Sequence, residues 1–379
     1  MKVAHLAPNH KHIDNVINLF NGIELVEHVF FLEIQDKKMA EIPICNSNIS
    51  SFVSFRSDEK ELVANKLDNF DLVIVHCLTD LHAGIVNHMN CNSTVVMWKG
   101  WGFDYLDLMY LKFTDILEDK SKTLYFDLRE DKTNNSSNYH ISSERIEAIK
   151  KIKYFCPVLK EEFDLIHERH DFTKHLKYVD WMYGFDYSVN EITEAGYVIN
   201  KKEGLWLGNS ATITNNHFDY LSVVEENKYL SDMMHYIPLS YGFDNYKNKI
   251  KSISNSILND NVIVLDSFLS FDKYMKFIAS SKFMVMHHIR QQALGNIWLG
   301  LLTGSTIFLN EKSPTYKYFK RNGFVIYPSS ELSFKSNPED FSLNKYERKE
   351  NEKMAFDFLC DDAIKKNSKN LIEFVYSEF

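Results

Sequence analysis

Between residues 284 and 304 the chain reads MVMHHIRQQALGNIWLGLLTG, an apolar run that turns polar for a few residues and then becomes apolar at helical spacing. A strand over Phe283–Met286 would end at His287 and His288, and Ala293–Leu302 would form a helix facing a core. His288, Arg290, Gln291 and Gln292 then sit at a strand's carboxyl end, over a helix amino terminus. In an open α/β sheet that crevice takes ligands, and the first-turn N–H groups and helix dipole favour an anion. The planar Arg290 fork suits phosphate oxygens, so a diphosphate is the expected ligand. A polar connection exposed to water would carry the same letters.

Two further stretches converge on that edge. In LWLGNSATITNNHFDYL a strand ends at Gly208, followed by Asn209 and Ser210, and Thr214 or Asn215 would cap a helix carrying His217. The loop lacks both GxGxxG and GxxxxGK[ST], so an ordinary capped turn stays open beside an anion site. In YIPLSYGFDNY, Tyr241 and Gly242 follow a strand, and the tyrosine could stack on a base or simply complete a core. Earlier, VVMWKGWGFDYLD carries a strand into Trp98, Lys99, Trp101 and Asp104. Apolar neighbours raise a carboxylate's pKa toward working pH, so Asp104 reads either as a general base or as the cap of the helix YLDLMYLKF. The tryptophans could stack on a pyranose. His76, ending DLVIVHC, and His12, after the first strand, are similarly placed. No HExxH motif and no cysteine ligand set occurs, so no metal is expected.

The elements that would position these residues alternate. MKVAHLA, VEHVFFLEI, SFVSFR, DLVIVHC and TVVMW read as strands, separated by helical stretches such as DEKELVANKL and DLHAGIVNHM. The rhythm resumes with GLWLGNS, MMHYIPLSYG, NVIVLDSF, SKFMVMHH and STIFLN, which predicts two Rossmann-like halves with mainly parallel sheets. The expected division is 1–190, 191–347 and a helical tail over 348–379, with the aperiodic stretch 186–204 as linker and the Asn- and Ser-rich EDKTNNSSNYHISSE as a loop. The aromatic-Gly-Phe-Asp recurrence at 101, 183 and 241 is unevenly spaced and is no repeat.

With 379 residues, two domains are the default, and a net charge of −9 argues against nucleic acid as the main partner. Five cysteines without a CxxC pair read as reduced thiols of a cytoplasmic protein. No stretch approaches the ~20 apolar residues of a membrane span.

Together these motifs resemble the bacterial glycosyltransferases of family 56. The similarity lies in WKGWGFDYL, with Trp98, Trp101, Gly102 and Asp104; in LGNSATITNNH, with Gly208, Asn209, Ser210, Asn215 and His217; and in Pro238, Tyr241 and FDKY at 271–274. It is strongest in RQQALG, with Arg290, Gln291, Gln292 and Gly295. The resemblance implies a GT-B fold of two Rossmann-like domains with a cleft between them and a helical tail. It also implies transfer of a 4-acetamido-4,6-dideoxyhexose-like sugar from a TDP-type donor to a polyprenyl-diphosphate-linked glycan in surface polysaccharide synthesis. Such an enzyme needs no cofactor and would work from the cytoplasmic face of the bacterial inner membrane, as a peripheral protein. On this reading Asp104, with His76 as second choice, activates the acceptor, while His12, Trp98 and Trp101 hold it. Asn209, Ser210, Asn215, His217, Tyr241, His288, Arg290, Gln291, Gln292 and Gly295 would hold the donor. A nucleotide-sugar epimerase or hydrolase on the same fold, or a non-catalytic sugar-binding protein, would carry many of the same features.

Overall fold

The computed structural model describes residues 1–10, 12–20, 26–34, 51–128, 138–185, 187–197, 203–332 and 337–377. It forms two compact units: Met1–Leu111, Tyr139–Ser188 and Leu359–Phe379 make the first, and Lys112–Asn138 and Val189–Phe358 the second. The expected linker 186–204 holds a short helix, Val189–Glu194, and residues 186 and 198–202 lie outside the described residues.

In the first unit seven strands form one sheet: β1 Lys2–Pro8, β2 Glu27–Glu33, β3 Ser51–Phe55, β4 Leu72–His76, β5 Val95–Lys99, β6 Tyr154–Cys156 and β7 Lys177–Tyr178. Their order is β3-β2-β1-β4-β5-β6-β7, and every pairing is parallel. A parallel sheet is covered on both faces, which is why β4 is buried at all five positions and reads as a continuous apolar run. Val73, Val75 and Trp98 pack on one face with Ala83, Ile85 and Ile149, while Val3, Ile74 and Met97 pack on the other. The C-terminal helix Asp361–Tyr376 covers that second face through Leu371, Ile372 and Val375.

The second unit repeats the plan with six parallel strands: β8 Gly204–Leu207, β9 His235–Pro238, β10 Val262–Leu265, β11 Ser281–Met286, β12 Thr306–Leu309 and β13 Tyr327–Pro328. Their order is β10-β9-β8-β11-β12-β13. In both sheets the chain winds outward from one strand and then returns to that strand's other side. The switch points fall between β1 and β4 and between β8 and β11, where the loops leave the carboxyl ends in opposite directions and open a crevice. Among the described residues no helix is long and apolar enough to cross a membrane.

Candidate active site

At the second unit's switch point β8 ends in Gly208, whose φ of 68° lies in the left-handed region. A Cβ there would stand 2.4 Å from His217 Nε2, so only glycine lets the strand turn over that imidazole. Four neutral polar side chains then interlock. The Gln292 amide donates to Asn209 Oδ1 at 2.7 Å and accepts from Thr214 Oγ1 at 2.8 Å, while Asn209 Nδ2 donates to Tyr241 Oη at 2.8 Å. This lattice ties the loops after β8, β9 and β11 together. Gly242 makes the last approach possible, since a Cβ on it would fall 2.3 Å from the Ala211 carbonyl oxygen.

The helix Leu294–Leu302 follows, with Ala293 at its N-cap in the left-handed conformation, φ 57°, and no side chain capping it. A non-glycine residue held there costs of order 1 kcal/mol and is found where surrounding structure over-determines it. Arg290 is partly exposed beside this terminus, and its Nη1 donates to the Gln291 carbonyl at 3.2 Å. Gln291 and Gly295 are partly exposed there as well. Two histidines of this loop are neutral: burial, reinforced by Arg290, takes His288 down to about 3, and burial lowers His287.

Several expected ligand contacts turn out to support the loop instead. Asn215 is fully buried; its Oδ1 accepts from the Asn209 N–H at 3.0 Å and its Nδ2 donates to Ser210 and Thr212. His217 is also buried, bonded to Tyr246 Oη at 3.1 Å, and burial lowers it to about 3. Neither Thr214 nor Asn215 caps its helix: the N-cap is Asn216, left-handed at φ 53°, whose Nδ2 reaches the His287 carbonyl at 3.1 Å. Ser210 is buried beside Thr212. Tyr241 keeps about half its surface exposed and stacks with Phe268, a residue that no motif had marked.

In the first unit Asp104 lies in a 3-10 turn, Phe103–Tyr105, followed by a helix of only four residues, Leu106–Met109. The longer helix expected here stops because Tyr110 is extended. The carboxylate accepts three N–H groups: Leu78 N at 2.9 Å and Trp98 Nε1 at 2.9 Å on Oδ2, and Trp101 N at 2.8 Å on Oδ1. It anchors the loops after β4 and β5 to each other. Burial still raises its carboxyl above the usual range, against the pull of those donors. Trp98 cannot carry a sugar, because it is fully buried and stacked on Phe155 with centroids 4.1 Å apart. Trp101 is partly exposed against His10. His12 opens the helix His12–Phe20, and its side chain lies outside the described residues.

His76 belongs to a chain of three imidazoles that the sequence did not reveal. His5 Nδ1 meets His76 Nε2 at 3.0 Å and His5 Nε2 meets His28 Nδ1 at 3.0 Å. Phe30 stacks on His5, and Trp181 stands edge-on to His76. Burial brings His76 to about 3 and His28 to about 4, so the chain is neutral. Among the described residues no group of three or more His, Cys, Asp or Glu side chains is placed to hold a metal ion.

Residues 186–336 match the family model described as 4-alpha-L-fucosyltransferase, glycosyl transferase group 56, and this segment contains the whole Gly208–Gln292 lattice. The chain is a glycosyltransferase. Solved structures agree on the fold. Anabaena HepE in complex with UDP superposes with a TM-score of 0.64 at 9% identity, covering 100% of both chains. Sucrose-phosphate synthase from Thermosynechococcus elongatus gives 0.64 at 8% identity, again over 100% of both chains. The lipopolysaccharide outer core galactosyltransferase WaaB gives 0.60 at 12% identity over 100% of both chains. At such identities the likeness concerns the fold, which is GT-B. No curated protein sequence matches this glycosyltransferase.

Proposed function

We propose that this glycosyltransferase moves a 4-acetamido-4,6-dideoxyhexose-like sugar from a nucleoside diphosphate donor of the TDP type to a polyprenyl-diphosphate-linked glycan. The setting would be bacterial surface polysaccharide synthesis at the inner face of the inner membrane. The observation that carries this reading is the neutral lattice of Asn209, Thr214, Tyr241 and Gln292 at the β8/β11 switch point, inside the segment matching a fucosyltransferase family. Fucose and the proposed sugar are both 6-deoxyhexoses. A phosphate arriving there meets Arg290 and the amino end of the helix Leu294–Leu302, and no carboxylate belongs to the lattice.

In the transfer the acceptor O–H bond breaks, a bond forms between its oxygen and the sugar's anomeric carbon, and the anomeric carbon–phosphate oxygen bond breaks. Asp104 takes the proton on its carboxylate, with His76 as the second choice, and Arg290 stabilises the charge gained by the departing diphosphate. The test is titration calorimetry with TDP and UDP, alongside a transfer assay with labelled donors. Arg290→Ala should weaken nucleoside diphosphate binding by about 1.5–3 kcal/mol, the range for a charge-assisted hydrogen bond, with the fold intact. Unchanged affinity would place the diphosphate elsewhere, and turnover of donor without any acceptor would favour a hydrolase.

A further inference from the structure

Beside Asp104, which lines it, the first unit carries a pocket of about 330 Å³ at the ends of β4 and β5. We propose that it binds one neutral pyranose of a glycan, with Phe103 as the platform under the ring and Asp80 accepting its hydroxyls. The inference rests on the glycosyltransferase reading only in naming that glycan as the acceptor.

The charge of the wall decides the ligand class. Arg145 is the pocket's arginine, and it is committed: its guanidinium donates to Asp107 and to the Asp104 carbonyl, with both partners' side chains 11% exposed. The Asp104 carboxylate is held by its three N–H donors. The carboxylate that remains toward solvent is that of Asp80. Asp80 is exposed and takes a single 2.8 Å bond from Ser142 Oγ, the cap of the helix Ser143–Lys151. A phosphate or carboxylate would meet like charge here, whereas hydroxyls donate to carboxylate oxygens.

The shape agrees. Phe103 leaves 60% of its surface in water at a loop that is otherwise well packed, and Tyr139 and His140 also line the pocket. A pyranose offers an apolar C–H face to such a ring and hydroxyls around its edge, which matches a wall of one exposed aromatic face and one open carboxylate. The volume falls at the lower end of small-molecule sites, enough for a sugar unit and too small for a nucleotide sugar.

The experiment is saturation-transfer NMR on the full chain with methyl pyranosides, including the methyl N-acetylhexosaminides, and calorimetry with TDP on the same samples. Saturation of sugar ring protons by the wild-type protein should fall at least fivefold in Phe103→Ala and fall in Asp80→Asn, with TDP affinity unchanged in both. Both side chains are exposed, so the fold should survive. Equal saturation in the wild type and Phe103→Ala overturns the proposal, as does absence of saturation from every pyranoside while TDP binds. Sugar binding that depends on Phe103 in a protein that ignores TDP and UDP would leave this site standing and remove the proposed donor instead.

Discussion

The two sheets share one winding order, yet their switch points hold opposite chemistry. Between β8 and β11 the loops are joined by neutral amides and hydroxyls, Gln292 to Asn209 and Thr214, left near a partly exposed Arg290. In the first unit the polar groups are ionisable and largely buried: three linked imidazoles on β1, β2 and β4, the Asp104 carboxylate after β5 in its cage of N–H groups, and Glu162 after β6 hydrogen-bonded to Tyr105. A neutral lattice can receive a dianionic ligand without first disposing of a charge of its own. A buried ionisable cluster instead holds its loops in a way that depends on pH. The same backbone thus supplies a neutral hydrogen-bonded lattice in one unit and a proton-sensitive framework in the other.

The largest test of that contrast is pH. Glu162 is buried, accepts Tyr105 Oη at 2.6 Å and Leu159 N at 3.0 Å, and burial pushes its carboxyl up to about 7. A raised carboxyl favours the protonated form in the folded state. Its contribution to stability is therefore full below its ordinary value of 4.5 and is lost as pH rises through about 7. At about 1.36 kcal/mol per unit, that shift amounts to roughly 3 kcal/mol by pH 8.5. Glu162→Gln keeps the shape and removes the titration, so urea unfolding at pH 8.5 should show the variant more stable by that order, with the gain shrinking at pH 5. The lowered imidazoles act in the opposite direction: His5, His28 and His76 contribute fully above their ordinary 6.5, and that contribution drains away as pH falls. Equal variant and wild-type stability at both pH values would show that the framework is not proton-sensitive through Glu162.

Next in size is Asp104→Asn. An amide supplies one acceptor oxygen where three N–H groups now converge, so an NH₂ must face at least one donor. Stability should fall by about 2–3 kcal/mol, as for loss of hydrogen bonds to a charged group. A slower reaction in this variant would therefore not by itself identify the base. The informative readout is the pH–rate profile measured well below the variant's unfolding temperature: a general base leaves a missing acidic limb, and an anchor leaves the profile's shape unchanged.

In the second unit, Gln292→Glu sharpens the contrast from the other side. The substitution is close to isosteric but sets a carboxylate oxygen against Asn209 Oδ1, where the amide now donates at 2.7 Å. Nucleoside diphosphate affinity should fall by about 1–2 kcal/mol, close to tenfold, through lost lattice order and added negative charge. Stability should fall as pH rises in this variant, because a carboxyl buried against an acceptor oxygen is held above its ordinary value. Unaltered affinity would mean that the neutral lattice is structural only.

How much of this was legible follows the range of the interactions. The longer strands announce themselves as apolar runs between helical stretches, and β1, β2, β4, β5, β8 and β11 lie where the sequence places them. β6, β7 and β13 have three, two and two residues, too few to show any period. At the site, residue type and strand-end position were readable, because Gly208, Asn209, Arg290 and Gln292 are polar or conformationally special letters beside apolar runs. Their partners were not. His217 meets Tyr246 across 29 positions, His5 meets His76 across 71, and Trp98 is buried against Phe155 from a different strand. Whether a polar side chain faces a ligand or braces a loop is settled by contacts of that kind, which no local pattern encodes.

The finest test concerns the one lattice member that also faces solvent. Tyr241 receives the Asn209 amide at 2.8 Å and stacks its ring with Phe268, which is 80% exposed. The hydroxyl and the ring therefore do separable work: one orients Asn209, and the other offers an aromatic surface. Tyr241→Phe removes only the hydroxyl, leaving Asn209 Nδ2 to water, since that side of the loop is open. A net loss of about 0.5–1.5 kcal/mol is expected for one such bond, so nucleoside diphosphate affinity should fall a few-fold with the melting temperature nearly unchanged. Tyr241→Leu removes the ring as well. If the ring contacts the donor, that variant should bind TDP more weakly than Tyr241→Phe while binding inorganic diphosphate equally well. Equal TDP affinities for the two variants would confine Tyr241 to bracing Asn209, making it one more neutral strut of the lattice.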